Sequence, residues 1–89
     1  MATLFVRHTV QDYATWRRVY DGTKPLQRSA GVLANAVYQS PEDPNRLTVS
    51  HDFASLDEAR AWIASPDLHT AMERAGVVGT PDFWIANRA

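Results

Sequence analysis

The chain has 89 residues, no cysteine and a formal net charge of −1. This length predicts one small domain, residues 1–89, and without disulfides we expect it to gain stability from oligomerisation. The 45% hydrophobic content is typical of a globular protein, and the balanced charge argues against binding to nucleic acid. No apolar run is long enough to span a bilayer and no signal peptide is visible, which predicts a cytoplasmic protein without a membrane partner.

The first predicted elements are a strand and a helix rich in aromatic residues. Two sets of residues alternate from Leu4 to Val10, as in a strand with two distinct faces, and His8 falls on the same face as the apolar ends of this segment. Asp12 then suits a helix N-cap. The helix carries three aromatic residues on one face: Tyr13, Trp16 and Tyr20. This face is expected to cover the strand, with His8 beneath it.

Two strands are predicted in the middle of the chain. After a break at residues 22–25, Pro25 to Arg28 forms a helical turn that Gly31 ends, and a strand runs from Val32 to Gln39. Residues 40–45 contain two prolines and form a turn. The next strand runs from Arg46 to Phe53 and places four residues on one face: Leu47, Val49, His51 and Phe53.

A capping box of Ser55 and Glu58 predicts the start of the next helix. We expect this helix to bury three residues, with Trp62 on the flank of their stripe: Leu56, Ala59 and Ile63. Ser65 and Pro66 then end this helix and begin another.

The last helix is expected to place four residues on one side: Leu68, Ala71, Met72 and Ala75. It ends at Gly76, because glycine is common just after a helix. We interpret Gly76 to Gly79 as a return loop with no phosphate-binding role, since no helix follows it. The last strand then runs from about Pro81 to Asn87.

The order β-α-β-β-α-β predicts an α+β fold, the ferredoxin-like split βαβ arrangement. It has a four-stranded antiparallel sheet with helices on one face. The other face is expected to form a homodimer, because its residues are too mixed for a solvated surface: Phe5, Arg7, Thr9, Thr48, Ser50 and Asp52. An ion pair between Arg7 and Asp52 is expected on this face.

The chain resembles the dimeric α/β-barrel superfamily, specifically proteins of the antibiotic biosynthesis monooxygenase type and their short cyclase-like members. At the front, the resemblance rests on Arg7-His8-x-Val10-x-Asp12-Tyr13-x-x-Trp16-x-x-x-Tyr20-Asp21. At the back, it rests on Ser65-Pro66-Asp67-Leu68-x-x-Ala71-Met72-x-x-Ala75-Gly76-Val77-x-Gly79-x-Pro81. It covers nearly the whole chain and implies a dimeric barrel.

The resemblance also implies an active site between the sheet and the helices of each subunit, where the residues themselves suggest a pocket. His8 and His51 are the candidate catalytic residues, and antiparallel pairing predicts that they are near neighbours. The aromatic residues are candidate substrate-binding residues: Tyr13, Trp16, Tyr20 and Trp62. In the alternative interpretation the aromatic residues only form the core, and His8 anchors the first helix by a hydrogen bond to Tyr13, Tyr20 or a backbone carbonyl.

No cofactor is expected. Haem-degrading relatives pair a tryptophan with an iron-binding histidine two to three turns later; Trp62 matches the tryptophan, but Met72 stands at the place of the histidine. A metal site on His8 and His51 lacks a third ligand.

The leading hypothesis is a cofactor-independent monooxygenase that acts on an aromatic or polyketide-like small molecule, with His8 as base or hydrogen-bond partner. One alternative is a cyclase or isomerase, in which His8 moves a proton beside a carbonyl and His51 steadies the enolate. Another is a non-catalytic dimeric protein that binds a small ligand. An acid paired with His8 would favour an enzyme, and the sequence shows none.

Overall fold

The computed structural model describes all 89 residues. The chain forms four strands and four helices, in the following order: β1 (Ala2–Val10), α1 (Tyr13–Asp21), α2 (Lys24–Ala30), β2 (Ala34–Gln39), β3 (Arg46–Phe53), α3 (Leu56–Ala64), α4 (Pro66–Arg74) and β4 (Val77–Asn87). The α+β ferredoxin-like fold predicted from the sequence is confirmed, with each of its two helical segments divided into two helices. No helix has both the length and the apolar composition that crossing a membrane requires.

The strands form one antiparallel sheet in the order β2-β3-β1-β4. Val6 in the middle of β1 pairs with Val49 of β3 and with Phe83 of β4, which sets the register of these three strands. One face of the sheet is buried under the helices, and the even-numbered residues of β1 point to it. The core lies between this face and the helices, and its largest fully buried side chains are Phe53, Leu4 and Leu47.

Local capping explains where α1 and α3 begin. The carboxylate of Asp12 accepts a hydrogen bond from the backbone N–H of Thr15 at 2.9 Å, and the side chain of Asn45 accepts one from the N–H of Tyr13 at 2.8 Å. Asn45 therefore ties the first turn of α1 to the β2–β3 turn. Ser55 accepts a hydrogen bond from the N–H of Glu58 at 3.2 Å, so the predicted N-cap is confirmed. The reciprocal half of the capping box is absent, since the Glu58 carboxylate accepts from the hydroxyl of Ser55 at 3.1 Å and not from its backbone N–H.

The sequence misplaced the beginning of two strands. β2 begins at Ala34 rather than Val32, because the N–H of Val32 donates to the backbone carbonyl of Gln27 in α2. β4 begins at Val77, so the interpretation of residues 76–79 as a return loop is wrong. Two features allow this irregular sequence to form a strand. The register against β1 shifts between Arg7 and Thr9. In addition, β4 is an edge strand, where Pro81 can stand although it has no backbone N–H to donate.

The buried stripe of α3 also differs from the prediction. Ala59 and Trp62 are its buried residues, whereas Ile63 is half-buried and Leu56 is 37% exposed. Leu56 is the first residue of the helix. Trp62 is thus a core residue and not the flank residue that the sequence predicted.

The helix-free face of the sheet carries exposed aromatic side chains. The rings of Phe5 and Trp84 stack with centroids 5.4 Å apart, and the guanidinium of Arg7 lies 5.8 Å from the Trp84 ring. The expected ion pair between Arg7 and Asp52 is absent from the chain, because the register pairs Asp52 with Thr3, whose hydroxyl donates to it at 2.7 Å. Arg7 pairs with Thr48, four residues away along β3.

Candidate functional site

A cavity lies between the buried face of the sheet and the helices. The space that the centre of a water molecule can reach inside it is about 50 Å³. This volume has room for a few waters. Most of its lining is apolar, and no acidic residue, lysine or arginine contributes to it. The side chains around it that can hydrogen-bond are His8, Trp16, Tyr20, Thr23, Gln27, His51 and Trp62. The cavity therefore combines apolar walls with a few uncharged polar groups, as small-molecule sites do.

His8 lies on β1 beneath α1, where the sequence predicted it. It is 7% exposed, and the edge of its ring meets Trp16 with centroids 5.9 Å apart. Neither ring nitrogen has a hydrogen-bond partner. The alternative in which His8 anchors α1 through a hydrogen bond is therefore wrong. Burial lowers the pKa of His8 to about 4, so the imidazole is neutral at pH 7.

His51 lies on β3 and is 3% exposed. Its Nε2 atom is 2.9 Å from the hydroxyl of Tyr20, whereas its Nδ1 atom has no partner. Burial, and then the positive charge of Lys24, lower the pKa of His51 to about 4, while Asp52 acts in the opposite direction. His51 is thus also neutral at pH 7, but it is held on one side by Tyr20.

The two histidines are not near neighbours, and that prediction is wrong. The register pairs His8 with Leu47 and His51 with Leu4, so the histidines are offset by four residues along adjacent strands. Four residues of strand span about 13 Å. Both histidines line the same cavity, at its two ends.

The aromatic residues of α1 connect these two ends. Trp16 stacks on Tyr20 with centroids 4.7 Å apart, and Tyr20 stacks on His51 at 6.0 Å. Trp16 and Tyr20 line the cavity together with the histidines. Tyr13 does not line the cavity. Its ring packs against the outer side of this layer, with its centroid 6.0 Å from that of Trp16.

Trp62 closes the His51 end of the cavity. Its ring meets His51 edge-on at 6.0 Å, and its Nε1 atom is buried without a hydrogen-bond partner. The buried polar side-chain atoms that lack partners all belong to residues around the cavity: His8 Nδ1 and Nε2, His51 Nδ1, and Trp62 Nε1. Buried polar groups are normally paired, so the concentration of unpaired polar atoms around this cavity marks it as the candidate functional site.

The sequence did not single out Gln27, although this side chain lines the cavity and is only 2% exposed. A glutamine in a short helix is ordinarily solvated, so nothing in the sequence pattern distinguishes it. Its burial becomes visible only when α2 is placed against β2. No group of three or more histidine or acidic side chains in the structure could hold a metal ion.

The fold and the site define a ferredoxin-like α+β protein with a cavity between the sheet and its helices. Residues 11–74 match the family described as antibiotic biosynthesis monooxygenase, and the chain belongs to that family. No curated protein matches the chain.

Several solved structures share the fold. A candidate antibiotic biosynthesis monooxygenase of Bordetella bronchiseptica is 19% identical with a TM-score of 0.84, and the match covers 99% of this chain and 96% of that one. A candidate member of Caulobacter crescentus is 15% identical with a TM-score of 0.78, over 99% and 89% of the two chains. SnoaB of Streptomyces nogalater, a cofactor-independent oxygenase, is 16% identical with a TM-score of 0.75, over 99% and 94%. At these identities the likeness shows the fold.

Proposed function

We propose that the protein is a cofactor-independent monooxygenase that acts on an uncharged aromatic or polyketide-like compound bound in the cavity. The observation that carries this proposal is the set of buried, unpartnered polar atoms on His8, His51 and Trp62 around an apolar space. A ligand with hydroxyl and carbonyl groups would satisfy these atoms, and its rings would fill the apolar remainder. The description of SnoaB as a cofactor-independent oxygenase supports the same class of activity.

The lining restricts the charge and size of the ligand. A charged ligand would find no counter-ion in the cavity, and burying an unpaired charge is costly. The cavity holds only a few waters, so an aromatic ligand requires part of the wall to move outward. The helix best suited to this is α4, which has no buried residue and carries the flexible Met72.

His8 suits the role of a hydrogen-bond acceptor that takes a proton only as the reaction proceeds. A phenol with a pKa near 10 and an imidazole with a pKa of about 4 differ by about six units, or about 8 kcal/mol, so complete deprotonation before reaction is unfavourable. Neutral His8 can instead accept a hydrogen bond from the hydroxyl of the substrate. As the substrate loses electrons to dioxygen its hydroxyl becomes acidic, and the proton can then move to His8.

The overall reaction balances without an added reductant. A phenol and one dioxygen give a quinone and one water. One oxygen atom forms the new carbonyl on a ring carbon, and the other leaves as water with the hydrogen of the hydroxyl and the hydrogen of that carbon. The substrate supplies the two electrons that reduce this second oxygen atom, so the protein needs only to bind, orient and exchange protons.

A cyclase or isomerase would use the same residues without consuming dioxygen, with His8 moving a proton and His51 steadying an enolate through its N–H. A protein that only binds its ligand would do neither. Measuring dioxygen consumption and the release of product from 1,5-dihydroxynaphthalene, which forms 5-hydroxy-1,4-naphthoquinone only by gaining an oxygen atom, separates these functions from the monooxygenase. Uptake of dioxygen in step with quinone formation supports the proposal, and binding without uptake contradicts it.

The substitution His8→Leu tests the candidate catalytic residue. We expect the variant to fold with equal or greater stability, since leucine removes a buried imidazole with two unpartnered nitrogens. Binding or turnover of the dihydroxynaphthalene should fall at least tenfold, about the effect of one lost buried hydrogen bond. Tryptophan fluorescence titration and thermal melting measure both properties on one sample. The control is Thr70→Leu, at an exposed position of α4 whose side chain makes no hydrogen bond, which should change neither. A large loss of stability in His8→Leu with unaltered binding would contradict this role.

We also propose that two copies of the chain associate through the helix-free face of the sheet. This face exposes Trp84 (41%), which stacks on Phe5, and also Tyr38 (59%) on the opposite edge strand, and a small monomer would not leave these aromatic rings open to water. We expect Trp84→Glu to produce a monomer, because a carboxylate would then be buried in the interface in place of an aromatic ring.

Sedimentation at micromolar concentration measures this effect. The control is Leu33→Glu, which changes an even more exposed apolar residue (62%) just outside β2 and should leave the dimer intact. A wild-type protein that sediments as a folded 10 kDa monomer would exclude this interface.

A further inference from the structure

One wall of the cavity is only a single layer of side chains thick. Leu68, Ala71 and Met72 of α4 line the cavity, and each of them is only half-buried. The other three helices each bury at least one residue, whereas α4 buries none. α4 therefore separates the cavity from solvent and is the helix that packing holds least.

α4 has a possible pivot at each of its ends. Ser65 is the only residue between α3 and α4, and its backbone is extended. Pro66 follows, and because the residue before a proline is disfavoured in the helical conformation, the two helices stay separate. At the other end Gly76 has a φ of +80°, a conformation that glycine adopts without steric cost. Element-terminal residues of this kind commonly act as hinges, so α4 can move as one body.

A single side-chain hydrogen bond connects α4 to the rest of the protein. Nε2 of His69 lies 2.9 Å from the backbone carbonyl oxygen of Ile63, in the last turn of α3. A carbonyl oxygen can only accept, so Nε2 carries a proton and donates it. The carbonyl of Ile63 has no partner within α3, as is usual at the end of a helix, and His69 supplies one. No other side chain of α4 makes a hydrogen bond or an ion pair.

We infer that α4 is a lid over the cavity and that His69 is the latch that holds this lid closed. The inference rests on the proposed function in one respect, namely that the ligand is an aromatic compound larger than the cavity. Such a ligand fits only when α4 has moved outward, because the space of about 50 Å³ holds only a few waters. When α4 moves away from α3, the hydrogen bond between His69 and Ile63 breaks. The latch therefore stabilises only the closed, ligand-free form.

It follows that the latch opposes ligand binding. When the form of a protein that binds its ligand is only partly populated, the apparent affinity is reduced by that fraction. One hydrogen bond changes such a population by about twofold to tenfold. Removing the latch should therefore tighten binding by about this factor, whereas removing a residue that contacts the ligand would weaken it. The rate of ligand entry should rise, and the rate of release should stay the same because the bond is absent from the bound form.

The substitution His69→Ala tests the latch, with 1,5-dihydroxynaphthalene as the ligand and without dioxygen so that no turnover occurs. Stopped-flow tryptophan fluorescence measures the rates of entry and release. We expect entry to become about twofold to tenfold faster and the affinity to increase by the same factor. The matched control is Thr70→Ala, the same truncation at the next residue of α4, which is also exposed and makes no side-chain hydrogen bond. It should change neither rate. Unchanged or weaker binding by His69→Ala would overturn the inference.

The opening of the lid can also be measured without a ligand. The chain has no cysteine, so Val49→Cys places a single thiol on the sheet, at a position that is 2% exposed and lines the cavity. Iodoacetamide should alkylate this thiol about twofold to tenfold faster when His69 is also replaced by alanine, and at an unchanged rate when Thr70 is. Equal rates in all three proteins would overturn the inference.

The two measurements separate a latch from a general loss of stability, since a less stable protein would react faster with iodoacetamide but would not bind the ligand more tightly. They also separate this inference from the proposed function. The alkylation result can contradict the lid while oxygenase activity stands. Conversely, tighter binding by His69→Ala without dioxygen uptake by the wild type would support the lid and contradict the monooxygenase.

Discussion

We expect the free energy of unfolding to fall by several kcal/mol as the pH is lowered from about 6.5 to about 4. His8 and His51 each have a folded-state pKa of about 4, against 6.5 in the unfolded chain. Between pH 6.5 and pH 4 the unfolded state binds more protons than the folded state. The free energy of unfolding is therefore highest above pH 6.5 and decreases as the pH is lowered. A difference of about 2.5 units corresponds to about 3 kcal/mol for each histidine. Since small domains have only about 5–15 kcal/mol of stability, the protein should be close to unfolding at pH 4.

Urea titrations at a series of pH values, followed by tryptophan fluorescence at fixed protein concentration, measure this dependence. His8→Leu should remove about half of the slope between pH 6.5 and 4, because one of the two buried imidazoles is then absent. Asp12, whose pKa is lowered by its hydrogen bonds to Thr15, loses its stabilising charge only below this window. A constant free energy of unfolding from pH 7 to pH 4.5 would show that the histidines are not buried in neutral form.

The secondary structure could be predicted because its signals are local. Alternation in β1 and β3 and the N-caps at Asp12 and Ser55 each depend on a few adjacent residues, and all of them are found in the structure. The start of β4 escaped prediction because its bulge exists only opposite β1. A glycine-containing segment resembles a loop until the partner strand is known.

The site was less predictable, because its geometry depends on register and on packing between distant segments. Sequence spacing placed His8 and His51 on one face of the sheet, but the offset of four residues between them is a property of the pairing of β1 with β3. Likewise, Trp62 appeared to be a flank residue until α3 was packed on the sheet. Gln27 gave no signal, since a polar side chain is identified as buried only when its surroundings are known.

The offset of the histidines changes the way in which the site is understood. Two adjacent imidazoles would suggest a shared proton or a metal, whereas two imidazoles at the ends of one cavity suggest that each meets a different part of the ligand. Trp16 and Tyr20 occupy the space between them and form a flat aromatic wall. The aromatic layer of α1 therefore belongs both to the core and to the cavity wall. The interpretation of these residues as core and their interpretation as a binding surface do not exclude each other.

The second large effect is expected for Trp16→Ala. Trp16 is 3% exposed and contacts the rings of Tyr13, Tyr20 and His8, so its removal opens a hole beneath α1. Truncation of a buried tryptophan costs about 3–5 kcal/mol, a large part of the stability of a small domain. The control Arg18→Ala changes an exposed residue of the same helix and should cost less than about 0.5 kcal/mol.

The same variant can show whether the aromatic wall is also a binding surface. The hole left by the indole joins the existing cavity, so naphthalene added to Trp16→Ala should raise its melting temperature more than it raises that of the wild type. Urea titration and thermal melting at equal protein concentration measure both effects. If Trp16→Ala were no less stable than Arg18→Ala, Trp16 would not be part of the core. A destabilised variant that naphthalene does not stabilise would instead show that the helices collapse into the space, and that the cavity depends on Trp16 for its shape.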